Sequence, residues 1–192
     1  MIKRELYMNR IRPFIGGELI KVMTGIRRSG KSVMLELIKE ELAEAGVAPS
    51  QMISINFEDM RYSHLQTATA LHDEIIKRVE GIEGKAYLFF DEIQEVEGWE
   101  KCVNSLRVAL DCDIYITGSN AKLLSGELAT YIGGRYVEFV IYPFSFAEFL
   151  VLYHTIAPSD SIQQCFQKYL LAGGMPYLAN LRYEEEPSRQ YL

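Results

Sequence analysis

The sequence predicts an α/β fold with a parallel sheet, and two observations lead to that expectation. Over the first 142 residues, short apolar segments alternate with longer segments in which apolar residues recur at helical spacing. A glycine-rich turn, residues 25–32, joins the first apolar segment to the first helical one. Parallel strands need a long crossover between them, and a helix usually supplies it, so this alternation predicts a sheet with helices on both faces.

Each predicted element has a local reason. The predicted strands are short apolar runs bounded by turn residues, and the predicted helices carry apolar residues three or four positions apart. The helix after the glycine turn stops at Gly46, as helices commonly do at glycine. The elements are strands at 19–24, 52–56, 86–92, 113–117 and 136–141, with helices at 32–45, 68–79 and 99–110.

The glycine-rich turn reads GIRRSGKS and matches the phosphate-binding pattern G-x-x-x-x-G-K-[ST]. A helix N-terminus presents free N–H groups to anions, and Gly25 and Gly30 let the backbone bring those groups round a phosphate. Lys31 adds a positive charge for the β- and γ-phosphates, and the Ser32 hydroxyl is a ligand for Mg²⁺. The alternative, a chance match in a glycine turn, is disfavoured by the strand before it and the helix after it. The residues assigned to nucleotide binding are Gly25, Arg28, Ser29, Gly30, Lys31, Ser32 and Val33.

Two carboxylates, Asp91 and Glu92, end the third predicted strand. In P-loop proteins an Asp at this place holds the Mg²⁺ shell, here together with Ser32. The Glu that follows can accept a proton from the water that attacks the γ-phosphate, which is a general-base role. Alone, the pair would be read as a solvated strand end. Beside the glycine motif, it predicts Mg²⁺-dependent ATP hydrolysis.

Composition and charge narrow the class of protein. The chain has 192 residues, enough for one substantial domain, and its 48% hydrophobic and 24% charged residues are ordinary for a globular protein. A net charge of −6 disfavours strong nonspecific binding to nucleic acid. The sequence has no N-K-x-D pattern for guanine, no apolar run near the about 18 residues of a membrane span, and no signal-peptide core. We therefore expect a cytoplasmic protein that binds ATP and no membrane.

After residue 142 the sequence predicts only helices. Ser145 and Ser161 are each followed three residues later by Glu or Gln, which is the spacing of a capping box. We therefore divide the chain into a P-loop core, residues 1–142, and a small helical lid, residues 143–192. The last residues resemble a helix start that runs out, so a cut inside a longer protein is expected in preference to a natural terminus.

Six segments in order resemble one family over nearly the whole chain. They read GIRRSGKS, INFED, LFFDEIQ, ITGSN, GRY and YPFSFAEF. Together they resemble a large group of prokaryotic AAA+-type ATP-binding proteins. The resemblance implies an ASCE-type sheet of order 5-1-4-3-2 with a helical lid. It also implies a further C-terminal domain of poorly known function, beyond the residues present here.

The resemblance assigns further roles by position. Asn120, or its neighbour Ser119, corresponds to a polar residue that orients the γ-phosphate or the attacking water, although Asn also suits a tight turn. Arg135 corresponds to an arginine finger offered to an adjacent subunit, or it caps a turn. Asn56 corresponds to a polar residue that restrains the catalytic glutamate. The sequence Gly-Gly-Met-Pro at 173–176 stands where many relatives have a lid arginine, so the resemblance does not extend to lid contact with the γ-phosphate.

Three functional classes remain open. The first is an ATPase that acts on a protein or nucleic-acid target through a C-terminal part, with a homo-oligomer as its assembly. The second is a slow-turnover nucleotide switch that recruits partners. The third is a small-molecule kinase, which Glu92 disfavours because a kinase takes its nucleophile from the substrate. The expected site comprises the catalytic residues Lys31, Glu92, Asn120 and Arg135, the metal ligands Ser32 and Asp91, and the ligands ATP and Mg²⁺.

Overall fold

A computed structural model describes residues 2–118 and 132–191, and its strands form one parallel five-stranded sheet. The strand order is β2-β3-β4-β1-β5, which is 5-1-4-3-2 when read from the other edge, so the predicted topology is confirmed. The strands are β1 (Ile20–Thr24), β2 (Met52–Asn56), β3 (Ala86–Asp91), β4 (Cys112–Thr117) and β5 (Tyr136–Val140).

Three long helices follow β1, β2 and β3 close to their predicted bounds. They are α2 (Lys31–Glu44), α3 (Ala68–Val79) and α4 (Trp99–Ala109). A seven-residue helix before β1, α1 (Glu5–Ile11), was not predicted, because so short a segment does not establish a helical period. None of the helices in the described ranges combines the length and apolar composition that a bilayer-spanning helix requires.

The sheet separates two apolar layers, because successive strand residues point to opposite faces. In β3, Leu88 and Phe90 belong to the layer that packs against α3 and α4. Phe89, between them, belongs to the layer that packs against α1 and α2. Burial on both faces explains why the strands read as nearly continuous apolar runs.

The parallel register brings four strand ends to one edge of the sheet. Met23 of β1 lies beside Thr117 of β4, and Asn56 of β2 lies beside Asp91 of β3. Because all strands run in the same direction, the residues that follow each carboxyl end meet at that edge. The turn at 25–32 and the acidic pair are therefore neighbours, although some 60 residues separate them along the chain.

The C-terminal helices are α5 (Phe146–Ile156), α6 (Ile162–Ala172) and α7 (Glu185–Tyr191). Both predicted capping boxes form: the Ser145 N–H donates to Glu148 Oε2 at 2.8 Å, and Ser161 with Gln164 repeats the pattern. The helices enclose a third apolar cluster around Phe149, distinct from the two layers on the sheet.

Arg4 is a buried cation that connects three parts of the chain. It is 1% exposed, and its Nη1 donates to the Ser29 carbonyl in the glycine turn at 3.0 Å. Its Nε donates to Glu148 Oε1 at 2.8 Å, and its Nη2 donates to the Tyr142 carbonyl at 2.8 Å. A buried charge is tolerated when it is paired and hydrogen-bonded in this way. Arg4 thus joins the N-terminal segment, the glycine turn and the start of α5.

The carboxyl partner of Arg4 responds to this environment. Burial raises the pKa of Glu148, but hydrogen bonds from Arg4 and from the Ser145 N–H lower it by more, so the pKa lies below its ordinary value of 4.5. A carboxyl whose pKa is lower in the folded chain than in the unfolded chain stabilises the fold above the unfolded pKa. That contribution is lost as pH falls through the folded pKa.

We therefore predict that the free energy of unfolding decreases as pH falls below about 4.5, and that Glu148→Gln makes the decrease shallower. At neutral pH the substitution should cost about 1–3 kcal/mol, because Arg4 loses its charged partner. Urea denaturation from about pH 3 to pH 7 measures both effects. Glu185→Gln, at an exposed ion pair of α7, is the control and should change stability by less than about 0.5 kcal/mol. Parallel pH profiles for the Glu148 variant and the parent would contradict the assignment.

Candidate functional site

The glycine turn after β1 has a backbone that ordinary residues would strain. Gly25 and Gly30 have φ of 143° and 99°, and Gly30 is the N-cap of α2. A Cβ on Gly25 would lie 2.2 Å from the carbonyl oxygen of Ile141, so only glycine fits at that position. Arg28 also has a positive φ, 66°. The turn is a concave cradle that opens at the start of a helix, where N–H groups are free to bind an anion.

Lys31 lies across this cradle. Its Nζ is 3.3 Å from the carbonyl oxygens of both Gly25 and Ile26, and the residue is 4% exposed. Ser29 is fully buried, and its Oγ has no hydrogen-bond partner among the described residues. Ser32 is an exposed residue on the first turn of α2 and lines the cleft described below. The cradle therefore holds one cation and two hydroxyls at the helix start.

Asp91 is held at the end of β3 by neutral donors on both sides. Its Oδ1 accepts a short hydrogen bond from Thr117 Oγ1, and its Oδ2 accepts one from Asn56 Nδ2 at 3.3 Å. The Asn56 Oδ1 accepts from the Glu58 N–H at 2.9 Å, which fixes the orientation of the amide. Asn56 therefore contacts Asp91. The family resemblance had assigned Asn56 to Glu92, whereas the structure pairs it with the neighbouring Asp91.

Glu92 adopts an unusual backbone conformation for a residue with a side chain. Its φ is 55° and its ψ is 49°, and its N–H donates to Thr117 Oγ1 at 3.0 Å. Its Oε1 lies 3.8 Å from Lys31 Nζ, and its Oε2 accepts from Gln94 Nε2 at 2.5 Å. Left-handed backbone at a non-glycine residue costs energy and is found mostly where the surrounding structure requires it. Here it directs the carboxylate toward the cradle.

Lys31, Ser32 and Glu92 line a cleft of 720 Å³ between the sheet edge and the C-terminal helices. A second cavity of 280 Å³ adjoins it and shares Gly30, Val33, Pro176 and Asn180 with it. The second cavity is mostly apolar, with Ile2, Phe144 and Leu152 in its wall. The residues lining the larger cleft are Arg27, Arg28, Gly30, Lys31, Ser32, Val33, Glu58, Glu92, Pro176, Tyr177, Asn180 and Tyr191.

The C-terminal helices contact the glycine turn through an aromatic stack. The Arg28 guanidinium lies 5.3 Å from the centre of the Tyr191 ring, a cation–π distance. Tyr191 in turn stacks on Tyr177 with their ring centres 5.0 Å apart. Arg28 thus belongs both to the turn and to the contact that covers it.

Arg135 lies away from this cleft. It is exposed, precedes β5, and its Nη1 donates to Asn104 Oδ1 of α4 at 2.8 Å. β5 pairs with β1 from Ile20 opposite Tyr136 onward, so Arg135 is at the amino end of the sheet. The glycine turn follows the carboxyl end, about 15 Å away for five residues of strand. Arg135 therefore does not reach the cleft of its own chain.

Some residues of the predicted site are not described, and some residues near the site were not predicted. Ser119 and Asn120 lie outside the described residues. The motif assigned no role to Arg4, Thr117 or Gln94, although Thr117 is a polar residue at the carboxyl end of β4, and a polar residue at that position is a usable signal. The partners of Arg4 and Gln94 became apparent only in the structure.

The side chains present fit a magnesium–nucleotide ligand. Among the described residues there is no group of three or more His, Cys, Asp or Glu that would hold a metal ion alone. Mg²⁺ commonly takes one or two protein oxygens and completes its shell with phosphate oxygens and water. The Ser32 hydroxyl and the Asp91 carboxylate are oxygen ligands of that kind. A cradle in which a Cβ at Gly25 would clash, with a buried orphan hydroxyl at Ser29, suits a phosphate chain.

A family model described as an AAA domain matches residues 18–150. An uncharacterized protein of Haemophilus influenzae is 44% identical over 176 residues, which are 92% of this chain and 44% of that protein. An uncharacterized protein of Methanocaldococcus jannaschii is 34% identical over 185 residues, 90% of this chain and 40% of that protein. The chain thus spans less than half the length of these relatives.

A solved structure of a RuvB variant from Thermotoga maritima superposes with a TM-score of 0.62. The superposition covers 94% of this chain and 61% of that one, at 15% sequence identity. At this identity the likeness concerns the fold. It includes the sheet and the helices that follow it.

Thr117 provides a test of how the acidic pair is held. We predict that Thr117→Val lowers the free energy of unfolding by about 2 kcal/mol, because Asp91 loses a donor and the Glu92 N–H loses its acceptor. Thr117→Ser keeps the hydroxyl and should cost about 1 kcal/mol or less. Chemical denaturation of both variants measures the difference. An equal loss in the two would mean that the methyl group, and not the hydroxyl, matters here.

Proposed function

Because the chain belongs to the AAA domain family, we propose that it binds ATP with Mg²⁺ and hydrolyses it. One observation carries the proposal: the cradle of the glycine turn, Lys31 and Glu92 line one cleft, with Asp91 anchored behind them. A cation, an anion-binding helix start and two carboxylates are what hydrolysis of a phosphoanhydride requires.

Nucleotide binding would use the turn and the start of α2. The free N–H groups at the helix start and the Lys31 ammonium receive the phosphate oxygens, so Lys31 exchanges its contacts with the Gly25 and Ile26 carbonyls for contacts with phosphate. Ser32 and Asp91 would hold Mg²⁺, which neutralises phosphate charge when bound. Asp91 is presented in a fixed orientation, because Thr117 and Asn56 anchor it.

Glu92 is the candidate general base. Its Oε1 lies on the Lys31 side of the cleft, where the terminal phosphate is expected, and it would accept a proton from the attacking water. The backbone of Glu92 is held by Thr117, so that one hydroxyl orients both acidic residues. Such pre-set orientation lowers the reorganisation needed during the reaction.

The base of the nucleotide fits the second cavity. Val33, Phe144, Leu152 and Pro176 give it apolar walls, which suit a flat aromatic ring. Asn180 offers the polar side chain that a purine edge requires. Because Gly30 and Val33 line both cavities, a nucleotide with its phosphates in the cradle can place its base there.

Coupling to a conformational change would run through the contacts between the turn and the C-terminal helices. In the proposed division, core residues 1–142 and lid residues 143–192 are joined by Arg4, which binds the Ser29 carbonyl on one side and Glu148 on the other. A nucleotide that shifts the turn acts on both bonds. The target of this change would be a protein or a nucleic acid, reached through a C-terminal part of a longer protein.

A slow nucleotide switch is the second candidate. Both oxygens of Glu92 have contacts, with Lys31 and with Gln94, and Gly-Gly-Met-Pro supplies no lid cation at 173–176. A site of this kind can bind ATP while turning it over slowly. The two candidates differ in the measured rate of phosphate release, not in the residues that bind.

We predict that Lys31→Ala abolishes nucleotide binding, whereas Glu92→Gln binds Mg²⁺-ATP normally and hydrolyses it about 10²–10⁴-fold more slowly. The amide keeps the shape of the carboxylate but cannot act as the base. Binding of a fluorescent ATP analogue and release of phosphate are measured on the same samples, with circular dichroism as the control for folding. A folded Lys31→Ala protein with unchanged affinity would contradict the site. Parental turnover in Glu92→Gln would mean that another residue activates water.

We also predict that Arg135 acts on the cleft of a neighbouring copy, since it does not reach its own. Mixing Arg135→Ala with Lys31→Ala protein should restore part of the ATPase activity, because some interfaces then join an intact turn to an intact Arg135. The matched control mixes Arg135→Ala with a protein that carries both Lys31→Ala and Arg135→Ala. This mixture offers no intact Arg135 and should stay inactive. Specific activity should also rise with protein concentration. Flat activity on dilution and no recovery on mixing would leave Arg135 as a brace for Asn104.

A further inference from the structure

Gln94 makes a contact that the sequence pattern did not assign. It lies in the 3₁₀ turn Ile93–Glu95, directly after the acidic pair, and its Nε2 donates to Glu92 Oε2 at 2.5 Å. Glu92 lines the cleft, whereas Gln94 does not line it in the described part of the chain. Gln94 therefore contacts the candidate base without lining the cleft itself.

The two oxygens of Glu92 are thereby distinguished. Oε2 is bonded to a neutral amide, and Oε1 faces Lys31 at 3.8 Å. The Glu92 side chain has three rotatable bonds from Cα to the carboxyl group, and its two oxygens share one carbon, so fixing one oxygen restricts where the other can lie. A phosphate bound to the Lys31 ammonium would compete with Oε1 for that cation, whereas the hydrogen bond from Gln94 to Oε2 does not involve Lys31.

The environment of Gln94 supports a fixed orientation. Its other amide atom, Oε1, is buried and has no hydrogen-bond partner among the described residues. A buried polar atom without a partner has an energetic cost, which the structure tolerates here in order to place the N–H₂ group against Glu92. Glu92 also has an energetic cost, because its backbone is left-handed. Both residues therefore have locally unfavourable features, and both features accompany the position of the Glu92 carboxylate.

Resting on the proposed function, we propose that Gln94 is the positioning residue of the general base: it holds Glu92 Oε2 so that Oε1 accepts the proton from water. Gln94 makes no contact with the nucleotide in this proposal, so it acts on turnover and not on binding. It does for Glu92 what Thr117 and Asn56 do for Asp91, with a different neutral donor for each carboxylate.

The test begins with Gln94→Met, which keeps the size of the side chain and removes the donor. We expect kcat to fall about tenfold or more, with KM for ATP unchanged within about twofold, because the hydrogen bond from Gln94 orients the base, and that orientation matters for the chemical step and not for nucleotide binding. Gln94→Glu, a second variant of nearly the same shape, places a like charge beside Glu92 and should lose more. Gln51→Met is the matched control, because the side-chain amide of Gln51 donates its hydrogen bond to the Lys85 carbonyl, at the amino end of the sheet.

A double-variant comparison separates positioning from general damage. In the Glu92→Gln background, Gln94→Met should change the residual rate by less than about twofold, because the group it positions is no longer a base. A spectroscopic readout needs no turnover: the Gln94 side-chain amide protons of the nucleotide-free protein should move upfield in Glu92→Gln, where a neutral acceptor replaces the carboxylate. Thermal unfolding of each variant reports whether it is folded.

The outcomes are distinguishable. An active parent with unchanged kcat in folded Gln94→Met overturns this inference and leaves the proposed function standing. A rise in kcat overturns it too, since Gln94 would then restrain the base and not present it. Equal losses in the parental and Glu92→Gln backgrounds would make Gln94 merely structural. A parent that binds ATP without hydrolysing it overturns the proposed hydrolysis together with this inference.

Discussion

The hydrogen bonds of Thr117 at the end of β4 are the interaction on which the site depends. One hydroxyl donates to Asp91 and accepts from the Glu92 N–H, so it holds together the proposed metal ligand and the backbone of the proposed base. This contact exists because β3 and β4 are adjacent and parallel, with Phe90 beside Ile116. A shift of one residue in that register would turn Thr117 to the other face of the sheet and leave the acidic pair without its anchor.

The two carboxylates differ in what surrounds them, and the difference matches the roles proposed for them. Asp91 is buried with both oxygens bonded to neutral donors, which fixes it as a ligand. Glu92 has one oxygen bonded to Gln94 and the other directed at Lys31, which leaves that second oxygen exchangeable. Adjacent residues thus have different neighbours in space, because Glu92 leaves the strand in a left-handed backbone conformation.

Two arginine side chains link the glycine turn to the rest of the chain, including the C-terminal helices. Arg4 bonds the Ser29 carbonyl from within the protein, and Arg28 meets Tyr191 from the cleft side. Both contacts involve residues of the glycine turn, so the proposed coupling of a bound nucleotide to the C-terminal helices would involve both. Arg4 and Glu148 form a buried ion pair, and the cost of desolvating the two charges offsets much of their attraction. The pair therefore contributes more to the relative placement of the segments it joins than to net stability.

The amino-acid sequence alone determined the class of fold, the sheet order through the family resemblance, the phosphate cradle and the acidic pair. Those features are local: a glycine pattern, an apolar run ending in Asp-Glu and capping boxes are readable because each is made by residues close together in the chain. Only the tertiary structure decided which donors hold the carboxylates. Asn56 turned out to bind Asp91, Gln94 proved to be the partner of Glu92, and Arg4 joins segments 144 residues apart. Such contacts depend on strand register, on the left-handed backbone at Glu92 and on packing between segments distant in the chain. A side chain's partner is set by distances in space that no spacing along the sequence encodes.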